Sequence, residues 1–222
     1  MTKDEFLPLT EYRKLPETEM QKRASDFFSR MRGRRTVREF SDQPVDRKII
    51  EYCLRTAATA PSGANQQPWR FVVVSDTIAK QRIRESAEKI EKDFYSKAAT
   101  LKWRDSLKQL KTGPSKPFLE IAPYLIAIFS QSYGYSAKKE KIKHYYVTES
   151  VGIATGMLIT ALHHAGLAAL TYTPANMKFL NKILTRPTNE KPFMILVVGY
   201  PSVSALVPAL QKKALEEIAV FI

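Results

Sequence analysis

The chain has a single cysteine, Cys53, in 222 residues, which excludes an internal disulfide framework and is compatible with a reducing compartment. Its three histidines, His144, His163 and His164, do not stand at metal-ligand spacing, so no metal site is expected. No apolar run reaches the roughly 20 residues needed to span a bilayer. The stretch containing Lys3, Asp4 and Glu5 lacks the shape of a signal peptide. The expectation is therefore a cytoplasmic protein with no membrane association. Glycine is scarce too, and no Gly-x-Gly-x-x-Gly dinucleotide fingerprint occurs.

Positive charge is abundant. Thirty-five Lys and Arg against 22 Asp and Glu give a formal charge of +13, an excess that suits nucleic acid, an anionic membrane surface or small anionic ligands. The densest run, Lys138-Lys139-Glu140-Lys141-Ile142-Lys143, carries no interleaved aromatics and reads as a loop running into a helix. With no recognition motif beside it, nucleic acid is not an expected partner. The length allows one sizeable domain with a real core, and 44% hydrophobic with 26% charged residues is ordinary for a soluble globular chain.

Apolar spacing divides the chain into alternating helices and strands. Residues 1–16, punctuated by Pro8 and Pro16, read as an extended arm. A helix over about 17–31 should bury Met20, Ala24, Phe27, Phe28 and Met31 on one stripe, ending at Gly33. A second, about 46–59, opens at Asp46 and carries Ile49, Ile50, Cys53, Leu54 and Ala57, which makes Cys53 a buried structural thiol. Residues 69–74, 124–129, 168–173 and 193–200 have the continuous apolar character of buried strands. A charged helix spans about 78–98, and a lysine-rich segment broken by Gly113-Pro114 follows it as a cover over a site. The helix over 144–165 is the most regular, and Gly152 and Gly156, one turn apart, permit close approach by another helix. A short helix falls near 175–184, and the apolar tail 215–222 needs another surface to cover it, a hint of exchange between subunits. There are no repeats and no second-domain boundary, so residues 1–222 read as one α+β domain.

Chemistry concentrates in two motifs. Arg34-Arg35-Thr36-Val37-Arg38 gathers planar, permanently charged guanidinium forks suited to phosphate and to the edge of a flat heterocycle. Pro61-Ser62-Gly63-Ala64 adds a hydroxyl and free backbone N–H groups where glycine allows close approach. Together with Gln67-Pro68-Trp69, these segments resemble the flavin-binding signature of the FMN-dependent nitroreductase superfamily. Glu91 and Tyr95 stand one helical turn apart on one face, with Lys116 further on beyond Trp103. That set resembles the substrate-binding lid of the iodotyrosine deiodinase branch, in its soluble bacterial form.

The resemblance runs from about residue 19 to the C-terminus. It implies a nitroreductase-like fold, a central mostly antiparallel sheet flanked by helices, in a domain-swapped homodimer with shared active sites. It implies FMN as cofactor, with Arg34, Arg35 and Thr36 at the phosphate and ribityl, Arg38 at the N1/O2 edge, and Pro61, Ser62 and Gly63 reaching the flavin of the other subunit. Thr171, Tyr172 and Thr173 occupy the threonine-rich turn, where the Thr173 hydroxyl meets flavin N5 and has the catalytic role. Lys212 stands where the deiodinases carry a phosphate-binding arginine, and lysine supplies charge without the bidentate fork. In the lid, about 91–117, Glu91 would pair with the ammonium of a halotyrosine, Lys116 with its carboxylate, and Tyr95 would pack and hydrogen-bond. Ala64 would offer its N–H to the phenolate oxygen. Residues 208–222 would form a C-terminal arm on the partner subunit.

The activity so implied is reductive dehalogenation of mono- and diiodotyrosine to tyrosine and iodide, through reduced flavin in one-electron steps. Two alternatives stay open: a nitroreductase or general NAD(P)H-dependent flavin oxidoreductase, and a non-enzymatic flavin-holding or anion-binding protein. The reductant, NAD(P)H or a separate reductase, is not identified by any motif.

Overall fold

Four apolar segments pair into one antiparallel sheet: β1 (Trp69–Val74), β2 (Tyr124–Gln131), β6 (Glu190–Gly199) and β5 (Ala168–Tyr172), in the order β1-β2-β6-β5. The computed structural model describes residues 7–98 and 112–222, and side chains for all of these except 97 and 98. By its contacts the chain divides at Arg34/Arg35 into two units.

Strand alternation sends side chains to two separate cores. On one face Leu125, Ala127 and Phe129 of β2, Ile195 and Val197 of β6, and Leu170 and Tyr172 of β5 are buried. Ile83 and Ala87 of α3 (Thr77–Asp93), α4 (Phe118–Ile121) and Leu180 of α6 (Phe179–Ile183) cover them. On the other face Ile126, Ile128, Leu196 and Val198 lie under α2 (Arg47–Ala58) and α5 (Val147–His164). Ile50, Cys53 and Ala57 of α2 and Val151, Ala154, Leu158 and Leu162 of α5 are the buried apolar residues of these two helices. Burial pushes the Cys53 thiol up, as suits a packing residue. Asp46 and Asp76 cap α2 and α3, accepting from the backbone N–H groups of Lys48 and Ala79 at 2.7 Å each.

Three expectations change. The helix α1 (Glu17–Arg32) forms where the periodicity places it, yet none of its residues is buried, and Met20, Phe27 and Phe28 are more than half exposed. Its own support is ion pairs at helical spacing, Arg23 with Glu19 and Lys22 with Asp26, both at 2.6 Å. The basic run after Ala137 forms a hairpin and not the start of a helix: β3 (Tyr133–Tyr135) pairs with β4 (Lys141–Lys143). The turn closes through Lys139, whose φ is 62°, and Lys141 sits 3.8 Å over the Tyr133 ring, so a cation–π contact and not helical pairing organises the charge. Finally, α3 is followed by a π-turn over Phe94–Ala98, so the single long helix expected over 78–98 changes its winding at Phe94. Trp103 and the rest of residues 99–111 fall outside the described residues. Among the described residues no helix is long and apolar enough to cross a membrane.

Candidate active site

The end of α3, the residues before α4, and β5 converge on a buried polar cluster. Glu91 lies on the inward face of α3 with Ile83 and Ala87, at the i+8 and i+4 positions that continue one helical stripe. Lys116 directly precedes Pro117 and the buried pair Phe118 and Leu119, and its own N–H donates to Glu88 Oε1 at 2.7 Å. These anchors bring Lys116 Nζ to 3.5 Å from Glu91 Oε2. The same ammonium donates to Thr112 Oγ1 at 3.2 Å and faces the rings of Tyr172 and Tyr95 at 5.6 and 6.0 Å. Tyr95, one turn beyond Glu91, donates its hydroxyl to the Thr112 carbonyl at 3.3 Å. Glu91 and Lys116 are both buried, a placement charged side chains adopt when paired. Burial lowers the Lys116 ammonium, and Glu91 only partly offsets this.

Tyr172 completes the cluster in a way the sequence did not indicate. In the sequence it stands with Thr171 and Thr173 in the threonine-rich turn, but strand alternation turns it to the opposite face. There it packs edge-on against Phe118 with ring centroids 5.8 Å apart and donates its hydroxyl to Glu91 Oε1 at 3.0 Å. Burial, and then the neighbouring Glu91 charge, raise its phenol, so it stays a donor. Period-two alternation along 168–173 was the available signal; it separates Tyr172 from the two threonines.

Thr171 and Thr173 are exposed at the outer edge of the sheet. Thr36 bridges Ala169 in parallel, so it shares their sheet face, while Val37 turns into the core with Leu170. Arg38 is half-buried, burial lowers its guanidinium, and its charge bears on Lys116. Arg35 donates to the Pro208 carbonyl, and Glu39 accepts from the Leu206 N–H at 2.9 Å, so the segment after β6 folds back along residues 35–39. Lys212 lies on the exposed chain beyond Pro208. Arg34 closes the first unit, its N–H on the Met31 carbonyl at 3.1 Å.

The Pro61–Ala64 turn is built around its own constraints. Ser62 Oγ accepts from the Gln67 N–H at 2.9 Å, and Gly63 N–H meets Ser150 Oγ at 3.4 Å. A Cβ on Gly63 would come within 2.9 Å of the Tyr145 carbonyl oxygen and of the Tyr146 ring, so the glycine is required by a neighbouring turn of this chain. Ala64, Asn65 and Gln67 all have φ near +50°, a costly run for residues with side chains. The Ala64 N–H has no acceptor among the described residues. No hydrogen bond among the described residues joins this turn to 35–38 or to 171–173.

A sheet flanked by helices, with arginines and threonines along one edge, defines the class. Residues 31–200 match the nitroreductase family model, and the chain belongs to that family. Within it the chain belongs with the iodotyrosine deiodinases. It is 49% identical over 211 residues to the iodotyrosine deiodinase of Haliscomenobacter hydrossis, covering 95% of both chains. It is 45% identical to iodotyrosine deiodinase 1 of Homo sapiens, covering 92% of this chain and 71% of that one. A crystal structure of oxidized iodotyrosine deiodinase bound to FMN and 3-iodo-L-tyrosine superposes with a TM-score of 0.76 at 31% identity, over 88% of this chain and all of the other.

Proposed function

We propose that this protein reductively dehalogenates halotyrosines, converting mono- and diiodotyrosine to tyrosine and iodide, with FMN as its cofactor. The observation that carries the reading is the buried Glu91–Lys116 pair beside Tyr95. An acid and an ammonium enclosed together complement the two charges of an amino-acid zwitterion. Their desolvated setting gives discrimination, because a ligand lacking either charge leaves a partner unsatisfied.

The donor set fits FMN. Arg38 is a partly desolvated cation suited to the N1/O2 edge, Arg35 and Thr36 stand beside it for phosphate and ribityl, and the exposed Thr171 and Thr173 carry their hydroxyls on the same sheet face as Thr36. Lys212 adds charge to the phosphate from the C-terminal segment. Bound FMN supplies the electrons, delivered singly. The carbon–iodine bond takes up two electrons and one proton in all, and iodide leaves.

The chain does the rest by placement. Glu91 takes the substrate ammonium and Lys116 its carboxylate, Tyr95 packs along the side chain, and the unpaired Ala64 N–H holds the phenolate oxygen. Thr173 donates its hydroxyl at N5. Glu91, Tyr95 and Lys116, gathered round the substrate, exclude water and align the ring.

The site is shared across a homodimer, in this reading. Pro61, Ser62, Gly63 and Ala64 carry no hydrogen bond to the arginine and threonine edge of their own chain, as residues serving a partner's flavin would not. Exposed Gly152, Ile153 and Gly156 on α5, with open space beside both glycines, support a helix-to-helix contact. So do the exposed Leu215, Ile218, Val220 and Phe221 of the tail. The reductant is NAD(P)H or a separate reductase, and the location is the cytoplasm, in keeping with the lone thiol.

The test is anaerobic turnover. Reduced, flavin-loaded protein with 3-iodotyrosine should release tyrosine and iodide in equal amounts. A protein that reduces nitroarenes with NAD(P)H but leaves iodotyrosine intact would be the general oxidoreductase instead.

A further inference from the structure

Glu91 has two carboxylate oxygens and the structure gives each a different partner: Oε1 the Tyr172 hydroxyl at 3.0 Å, Oε2 the Lys116 ammonium at 3.5 Å. Tyr172 lies 81 residues away on β5 and is locked by the sheet on one side and Phe118 on the other. Lys116, by contrast, hangs from a short segment before α4 and is held by the longer contacts to Glu91 and Thr112. One partner is fixed and the other is exchangeable.

Resting on the deiodinase reading above, we propose that Tyr172 is a positioning residue that fixes the Glu91 carboxylate for the substrate ammonium, and that Lys116 fills the ammonium's place until substrate arrives. Binding is then an exchange. The incoming ammonium takes Oε2, the displaced Lys116 Nζ turns to the incoming carboxylate, and the Tyr172 hydroxyl stays on Oε1. At no stage is the buried carboxylate left with a single partner, which is the costly state for an enclosed charge. A purely architectural hydrogen bond between α3 and β5 would support every ligand alike. A positioning bond favours only ligands with an ammonium.

The experiment compares two ligands on the oxidised, FMN-loaded protein, titrated by quenching of flavin fluorescence: 3-iodotyrosine and 2-iodophenol, which lacks the amino-acid group. In Tyr172→Phe the ring and its packing on Phe118 remain. The ratio of the two affinities should shift about tenfold against iodotyrosine, the loss expected for one hydrogen bond to a charged group. Introduced into Glu91→Gln, the same change should add little, since both act on one carboxylate. Equal weakening of both ligands, no weakening of either, or full additivity with Glu91→Gln would overturn the proposal. Wild-type protein that binds 3-iodotyrosine while Tyr172→Phe binds it equally well removes the positioning role alone. Wild-type protein that binds neither ligand removes the deiodinase reading beneath it. Should Tyr172→Phe fail to fold or load flavin, crystals of the wild-type holoenzyme with 3-fluorotyrosine decide. Tyr172 Oη within hydrogen-bond reach of Glu91, and the ligand ammonium on its other oxygen, is expected; Tyr172 turned away overturns it.

Discussion

Glu91 and Lys116, on separate elements 25 residues apart, meet at 3.5 Å inside the protein, and each is the other's counter-charge. Removing one leaves the other buried and uncompensated, whereas removing both leaves an apolar gap. Glu91→Gln or Lys116→Met alone should cost about 2–4 kcal/mol of stability. The double substitution should cost at least ~1 kcal/mol less than the sum. Urea unfolding of the four proteins closes the cycle, and each variant should also lose most of its turnover of iodotyrosine.

Arg38, proposed to face the flavin edge, is half-buried and has its guanidinium partly stripped of water. Arg38→Ala should weaken FMN binding by about 2 kcal/mol, or roughly 30-fold, the scale of a charge-assisted hydrogen bond. Flavin fluorescence during titration of the apoprotein measures it. Arg38→Lys should recover only part of the loss, because the fork is gone.

Gly156 on α5 has open space where a Cβ would stand. Within one chain Gly156→Leu should therefore stabilise the helix, by about 1 kcal/mol. If α5 meets its counterpart in a homodimer, the same change should raise the dimer dissociation constant tenfold or more and lower flavin content with it. Sedimentation across a concentration series separates the two effects.

Gly63 behaves oppositely. A methyl there would press on the Tyr145 carbonyl at 2.9 Å, backbone that cannot simply rotate away. Gly63→Ala should cost about 1–3 kcal/mol and displace the Ala64 N–H. Thermal unfolding reads the first effect, and reduced affinity for halophenols reads the second.

Glu190 begins β6 almost fully buried, accepting from Arg186 at 2.7 and 3.0 Å and from Gln131 at 3.1 Å. Burial pushes its carboxyl up, but the hydrogen bond and charge of Arg186 outweigh it, and the net value lies below the ordinary 4.5. A depressed carboxyl stabilises fully above its ordinary range, and that contribution is lost as pH falls through the lower folded value. Glu190→Gln should be less stable at pH 7 by about 1–3 kcal/mol and show a shallower decline below pH 4.5. Denaturant midpoints from pH 7 to pH 3 test both.

Elements with strong local period were legible along the chain. Strand 69–74 is found at Trp69–Val74, and the helix expected over 144–165 spans Val147–His164, with Val151, Ala154 and Leu158 among its buried residues. The shared face of Glu91 and Tyr95 follows from i, i+4 spacing, since a helix carries that geometry wherever it packs. The arginine cluster and the Pro-Ser-Gly-Ala turn announce anion-handling chemistry by residue type alone. Periodicity reports which face of an element is apolar, and it is silent on what will cover that face. The stripe on α1 was visible in sequence, yet Met20, Phe27 and Phe28 remain exposed. Nor does local pattern tell a basic helix from a hairpin when a tyrosine on the neighbouring strand supplies the partner, as Tyr133 does for Lys141. Tyr172 is the sharpest case. Its neighbours point one way and it points the other, and its hydrogen bond spans 81 residues. Contacts of that separation depend on how α3 and β5 are laid across the same sheet face, a relation set by packing of the whole core and carried by no short stretch of chain.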